Sequence, residues 1–246
     1  MKVYLSRLLL SPRSRQVRSE LAFPYEMHRT IMHAFDEHFE DGEKETRQKA
    51  GVLFRADVDQ RTSAITLYVQ STLQPDWSHL STDIGYLLGE DNRPNPACRE
   101  ISKILASLRR GQIVSFRLRA NPTKRLSRSA EVSDPLAGKR VGLLREEEQL
   151  DWLRRKGQAG GFAVPELGVD GTQTGTPQVS ITHVGSQTGR KREDGVPHRM
   201  THRAVVFDGV LRITDDETFC DTLVRGIGGG KAYGFGLLSI APPGAR

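Results

Sequence analysis

Three observations predict an α+β fold of two tandem βαββαβ units. Over the first 120 residues, short apolar runs and stretches of helical period follow the order strand, helix, strand, strand, helix, strand. A second, less regular set of strands and helices follows. Between the two lies Leu126 to Arg140, a stretch rich in Ser, Pro and Gly that reads as a linker. The order is the ferredoxin-like pattern, also used by RNA-recognition modules. The chain is therefore divided into a unit at 1–125, a linker at 126–140 and a unit at 141–246. With 246 residues, two small domains can each bury a core.

Val3 to Leu10 is short and apolar and stops at Ser11-Pro12, which predicts a strand. A basic connector with Arg13, Arg15 and Arg18 follows. Pro24 suits the first turn of a helix, and Met27, Ile31, Ala34, Phe35 and Phe39 keep the helical period to about Phe39. Asp41-Gly42 ends it. Val52 to Val58 and Ala64 to Ser71 read as strands joined by a polar turn. Pro94 to Pro96 opens a second helix to about Leu108, Gly111 breaks it, and Ile113 to Ala120 is a strand. In the second set, a charged helix spans about Arg145 to Lys156. Strands are expected at about Phe162 to Val169, Gln178 to Val184, Arg203 to Phe207 and Val210 to Ile213. A helix at Asp216 to Val224 and a strand at Ala232 to Ile240 complete it.

The balance of charge narrows the partners. Lys+Arg 36 against Asp+Glu 30 gives +6, so a polyanion is a natural partner and nucleic acid is the commonest one. Cys98 and Cys220 stand far apart without CxxC spacing, which argues against a disulfide scaffold or a cysteine zinc site and fits a reducing cytoplasm. No apolar run reaches the length of a membrane span, and the N-terminal stretch lacks a signal-peptide core. A soluble cytoplasmic protein with no membrane partner is expected.

Two basic segments are candidates for phosphate contact. From Ile101 to Ala130 there are eight Lys or Arg and no acid. Within it, strand alternation sends Val114, Phe116 and Leu118 to the core and Arg117 and Arg119 to the other face, with Asn121, Lys124 and Arg125 in the loop beyond. Arg190-Lys191-Arg192, between Gly189 and Gly195, looks like a basic hairpin tip that could lie against duplex RNA. Glu193 and Asp194 follow it directly.

The run Arg225 to Leu237 is the densest motif, with six glycines in eleven residues from Gly226 to Gly236. It fails the Walker spacing, since Ala232 stands where Ser or Thr must hold magnesium, and it is out of register with a Rossmann fingerprint. Lys231-Ala-Tyr-Gly-Phe-Gly partly follows the RNP1 pattern of RNA-recognition modules. A plain helix cap needs one glycine. The amides around Gly228, Gly229 and Gly230, with Lys231 adding charge, are therefore read as a phosphate cradle.

Tyr25 and His28 stand three residues apart on one helix face. A phenol and an imidazole can move a proton without a metal. The partial positive charge of the helix N-terminus favours neutral imidazole at His28, and Arg13, Arg15, Arg18 and Arg29 supply local charge for a phosphate. Metal readings are weaker. His28, His33 and His38 recur every five residues and so do not share a face, no HExxH occurs, and His198 and His202 are expected in a loop. Neither a metal site nor a cofactor is predicted.

Five stretches occur in one order: Leu8-Leu9-Leu10-Ser11-Pro12, Pro24-Tyr25-Glu26-Met27-His28-Arg29, Gln74-Pro75-Asp76-Trp77, Phe116 to Arg125, and the Gly-rich run. In that order the chain resembles the CasE-type CRISPR RNA-processing endoribonucleases of the Cascade system, over nearly its whole length. The resemblance implies tandem ferredoxin-like domains and metal-free cleavage of the repeat hairpin in precursor CRISPR RNA. In that reaction a 2′-hydroxyl attacks the adjacent phosphate and leaves a 5′-hydroxyl and a 2′,3′-cyclic phosphate. It also implies retention on the product and assembly with the other Cascade subunits. Tyr25 and His28 match the family's active-site tyrosine and histidine, and His33 stands where a member can carry a lysine. Gly226 to Gly236 matches its Gly-rich loop and Arg117 to Arg125 its basic strand. Arg190 to Arg192 matches a basic hairpin by position and charge. Whether His28 acts as base or acid stays open. The alternative is a non-catalytic RNA-binding subunit on the same scaffold.

Overall fold

The computed structural model describes residues 1–38, 50–81, 85–89, 94–126, 138–167, 175–193 and 196–244, and only the backbone over 186–201. Two antiparallel sheets, each backed by helices, share the strand order that defines the ferredoxin-like fold.

The first sheet contains β1 (Tyr4–Leu10), β2 (Leu53–Val58), β3 (Ile65–Ser71) and β4 (Ala97–Glu100) in the order β2-β3-β1-β4. β1 alternates buried and half-buried residues, sending Leu8 and Leu10 into a core with Met27, Ile31, Phe35, Phe54 and Leu67. The stretch expected to be a basic connector is a helix, α1 (Arg15–Ala22). Ser14 caps it by accepting from the Val17 N–H, and Arg18 donates to the carbonyls of Pro12 and Arg13. α2 (Pro24–Met32) starts on Pro24 as expected but ends earlier, its chain tightening into a 3₁₀ turn over His33–His38. Phe39 lies outside the described residues. α3 (Ser78–Ser81) is one short turn.

The expected helix from Pro94 to Leu108 is replaced by β4 and a short α4 (Ser102–Ala106). The reason is the open edge of β1. Ala97 to Glu100 pair with Arg7 to Tyr4, and the Asn95 amide both accepts from the Leu9 N–H and donates to the Leu9 carbonyl, each at 2.8 Å. Satisfying a row of edge backbone groups outweighs the local helical pattern.

β5 (Ile113–Ala120) accordingly does not close the first unit. It pairs with β12 (Val196–Ile213) on one side and β13 (Leu238–Ala241) on the other, and β12 in turn pairs with β11 (Val179–Glu193), giving a sheet ordered β11-β12-β5-β13. Its alternation is as expected, with Val114, Phe116 and Leu118 buried against Trp152, Phe207 and Phe219. Leu126 to Arg140, the expected linker, thus falls between the first strand and first helix of the second sheet's unit. Residues 127–137 lie outside the described residues, and the small pair β6 (Thr123–Arg125) and β7 (Arg140–Gly142) brackets them. Next come α5 (Glu146–Ala159), β8 (Phe162–Ala163) against β12, and the small pair β9 (Glu166–Leu167) and β10 (Thr176–Pro177). β11 (Val179–Glu193) and β12 (Val196–Ile213) form one long hairpin, where three shorter strands were expected. Arg190, Lys191 and Arg192 sit near its tip and pair by backbone with Arg199, His198 and Pro197; their side chains lie outside the described residues. His198 and His202, expected in a loop, belong to β12. α6 (Asp216–Arg225), the Gly-rich run and β13 (Leu238–Ala241) finish the unit.

Candidate active site

The C-terminal unit reaches across to the N-terminal unit through the Gly-rich run. α6 ends at Gly226, whose φ of 71° and ψ of 164° lie in a region only glycine enters readily. The Ile227 N–H donates to the Gly236 carbonyl at 2.9 Å, and the Gly236 N–H donates to the Arg119 carbonyl at 2.8 Å. These bonds close the run into a compact loop on β5. Inside it, left-handed Gly230 and Gly234 bracket a single 3₁₀ turn, Lys231–Tyr233. The turn packs on α2 and β2. Gly234 lies so close to Phe54 that a Cβ there would stand 3.1 Å from the ring.

Tyr25 and His28 are on the α2 face that meets this turn. Their ring centroids are 6.1 Å apart at 64°, and Tyr25 lies 6.0 Å from Tyr233. His28 is 7 % exposed and its ring lies parallel to Phe54, 6.1 Å away. Tyr25 is 48 % exposed, so the pair has a wet member and a nearly dry one. The amides of Gly228, Gly229 and Gly230 make no hydrogen bond among the described residues, and Gly229 has open space where a side chain would be. Those three amides remain available for an anion. Positive φ calls for glycine at Gly226, Gly228, Gly230, Gly234 and Gly236, and Gly226 and Gly236 also meet backbone atoms closely.

His33 is not brought to this pair. Five residues beyond His28 it has turned by about 140° around the helix axis. It lines a separate groove between α1 and α2 with Arg15, Glu20, Arg29 and Thr30, and its ring abuts His79. Glu20, buried there, accepts from Gln16, Thr30 and Tyr86 and ties α1 to α2. Arg29 pairs with Glu26 at 3.0 Å on the exposed surface, and Arg13 is exposed in the turn after β1.

The basic strand is largely committed elsewhere. Arg117 holds Asp208 through two nitrogens, at 2.6 and 3.2 Å, with Asp57 at 3.6 Å. The Asp208 hydrogen bond raises its pKa further. Arg119 lies over the Phe235 ring at 5.3 Å, and burial lowers its pKa. Lys124 pairs with Glu148 at 2.7 Å, and Arg125 donates to the Gly138 carbonyl. Behind Arg117, buried Arg55 joins the units: it pairs with Asp57 and donates to the Arg117 carbonyl and the Ser239 hydroxyl.

Sequence reading gave Phe54, His202 and Tyr233 no part beside Tyr25 and His28, and it placed Asn121 only in the loop that continues the basic strand. Tyr233 stands inside the Gly-rich motif, where an aromatic among glycines was the available signal. Asn121 and His202 are joined at 2.9 Å only by the pairing of β5 and β12, which no local pattern announces. Burial lowers the His202 pKa. Among the described residues, no cluster of three His, Cys, Asp or Glu side chains could hold a metal, and no helix is long and apolar enough to cross a membrane.

The sequence model of a family described as CRISPR associated protein matches residues 3–242. The CRISPR-associated endoribonuclease Cse3 of Thermus thermophilus is 37% identical over 243 residues, covering 98% of this chain and 100% of that protein. The CRISPR system Cascade subunit CasE of Escherichia coli is 34% identical over 131 residues, covering 52% of this chain and 57% of its own length. A structure of Thermus thermophilus Cse3 bound to an RNA representing a pre-cleavage complex superposes with a TM-score of 0.72 at 34% identity, covering 98% of this chain and 100% of that one. Matched along nearly its whole length in sequence and in fold, the chain belongs to the CRISPR-associated protein family, within its CasE-type branch.

Proposed function

We propose that this chain is a metal-independent endoribonuclease that cuts the repeat hairpin of precursor CRISPR RNA, stays on its product and joins a Cascade complex. The observation that carries the reading is the meeting of Tyr25 and His28 with the Gly-rich turn at the boundary of the two units. It is supported by a Thermus thermophilus relative named as an endoribonuclease and by an Escherichia coli relative named as a Cascade subunit.

In the reaction, the 2′-oxygen of the substrate bonds to the adjacent phosphorus as its proton passes to a base. The bond from phosphorus to the 5′-oxygen breaks, and that oxygen takes a proton. The products are a 2′,3′-cyclic phosphate and a 5′-hydroxyl. His28 makes one of these proton transfers, and Tyr25 orients the phosphate or shares in the other. Such a group is worth about 10²–10⁴-fold in rate. The amides of Gly228 to Gly230 and the charge of Lys231 stabilise the phosphate as it gains a fifth oxygen. Arg29, in the neighbouring groove between α1 and α2, adds a contact to the RNA backbone rather than to the reacting phosphate, since an exposed pair such as that with Glu26 holds it by only about 0–1 kcal/mol. Every step is a proton transfer or a charge stabilisation that these groups supply. Arg15, Arg18, Arg190, Lys191 and Arg192 contribute phosphate contacts to the hairpin.

His28→Ala tests the assignment under single-turnover conditions with excess repeat-hairpin binding sites. Cleavage should fall by at least about 10²-fold while the hairpin affinity stays near wild type. Cleavage at the wild-type rate removes His28 from the reaction.

A further inference from the structure

The two reacting groups belong to a column of rings that crosses from one unit to the other. From the C-terminal unit it runs His202, Tyr233, and from the N-terminal unit Tyr25, His28, Phe54, with successive centroid separations of 4.6, 6.0, 6.1 and 6.1 Å. These separations fall in the range in which aromatic pairs attract in offset or edge contacts. Two of these rings, Phe54 and Tyr233, are held in buried clusters. Phe54 is fully buried in the first core. Tyr233 is buried with Ala204, Ala232 and Phe235 in a small core of its own, and its N–H donates to the Gly230 carbonyl.

His202 is held more tightly than packing alone requires. The Asn121 Oδ1 accepts from the Arg203 N–H at 3.2 Å, which turns the Asn121 Nδ2 toward His202 Nδ1 at 2.9 Å. An amide nitrogen only donates, so Nδ1 accepts and the ring proton sits on Nε2. That fixes the tautomer and the plane of the ring against which Tyr233 rests. Tyr25, by contrast, is half exposed on the first turn of α2, and its ring contacts are with His28 on its own helix and Tyr233 on the other unit.

We infer that Tyr233, backed by His202, is a positioning residue that sets the ring of Tyr25 beside His28. The inference rests on the reading of Tyr25 and His28 as the reacting pair. It means that the N-terminal unit holds the reacting groups but the C-terminal unit orients one of them, so the site is complete only when the two units are docked. A displacement of about 1 Å at a reacting group can cost about 10²-fold in rate without touching affinity.

The test is single-turnover cleavage of a repeat-hairpin RNA, with binding measured alongside. Tyr233→Ala should lower the cleavage rate about ten-fold with affinity unchanged, and Tyr233→Phe, which keeps the ring, should restore most of it. In a Tyr25→Ala background, adding Tyr233→Ala should change nothing further, because its effect passes through Tyr25. His202→Ala should give a smaller loss in the same pattern, and it carries the test if Tyr233→Ala does not fold. A wild-type rate in Tyr233→Ala, or a loss that adds in full to that of Tyr25→Ala, overturns the inference. If the unsubstituted protein binds the hairpin without cutting it, the cleavage reading itself fails and this inference with it, an outcome visible before any variant is made.

Discussion

Replacing Gly226 by alanine separates the structural glycines of the loop from the available ones. The backbone there has a φ of 71° and a ψ of 164°, which costs a non-glycine residue about 1–3 kcal/mol. The new Cβ would also stand 2.8 Å from the Gly236 carbonyl oxygen and 2.8 Å from both terminal carbons of Leu53. Leu53 can rotate away, but the carbonyl is fixed by the Ile227 N–H, so overpacking adds about 1–3 kcal/mol. The total is about 4 kcal/mol. For a chain of this size that lowers the melting temperature by about 8–16 °C. Gly229→Ala is the control: its φ is not positive and its Cβ would meet nothing within 4 Å, so its melting temperature should stay within about 2 °C of wild type. Thermal denaturation followed by circular dichroism reads both. A Gly226→Ala protein as stable as wild type, or a Gly229→Ala protein that loses as much, refutes the account of which glycines carry the fold.

Stability should also fall as pH drops from 7 toward 5 in a way that His202→Gln flattens. Burial lowers the His202 pKa in the folded state, so the unfolded chain takes up a proton first, near its ordinary pKa of about 6.5. The contribution is present above that value and is lost as pH falls through it toward the lower folded-state value; denaturant titrations across this range measure it, and an unchanged slope in His202→Gln would contradict it. Arg117→Ala should change the salt dependence of hairpin binding by much less than the slope of about 0.7–0.9 expected for one freed phosphate contact, because Asp208 and Asp57 already hold that guanidinium. A full unit of slope lost would mean that RNA displaces both carboxylates.

Strand alternation made β1, β3 and β5 legible, because one face of each is buried and the period is fixed by geometry. What local pattern could not supply was the choice of partner. β5 looked like the last strand of the first unit because it follows βαββα in order, and only pairing with β12 and β13 places it in the second sheet. β4 was masked by a helical pattern that runs from Pro96 into α4, and α1 by its arginines, although Ser14 three residues before Val17 was a cap in plain sight. At the site, Tyr25 and His28 were readable because neighbours on a helix lie on one face. Tyr233 and His202 were not, since they arrive from residues about two hundred positions away. The acid-free stretch promised a free basic face, yet its counter-charges, Asp57, Asp208 and Glu148, come from other elements.

The central claim is that Tyr25 and His28 serve attack by the substrate's own 2′-hydroxyl. Cleavage of a repeat-hairpin RNA, with and without a single 2′-deoxy substitution at the scissile position and with excess EDTA throughout, tests it most directly. The account predicts that the all-ribose hairpin is cut to a 2′,3′-cyclic phosphate end while the deoxy hairpin is bound equally well and left intact. Cutting of the deoxy hairpin, or loss of all cutting on chelation, would contradict it.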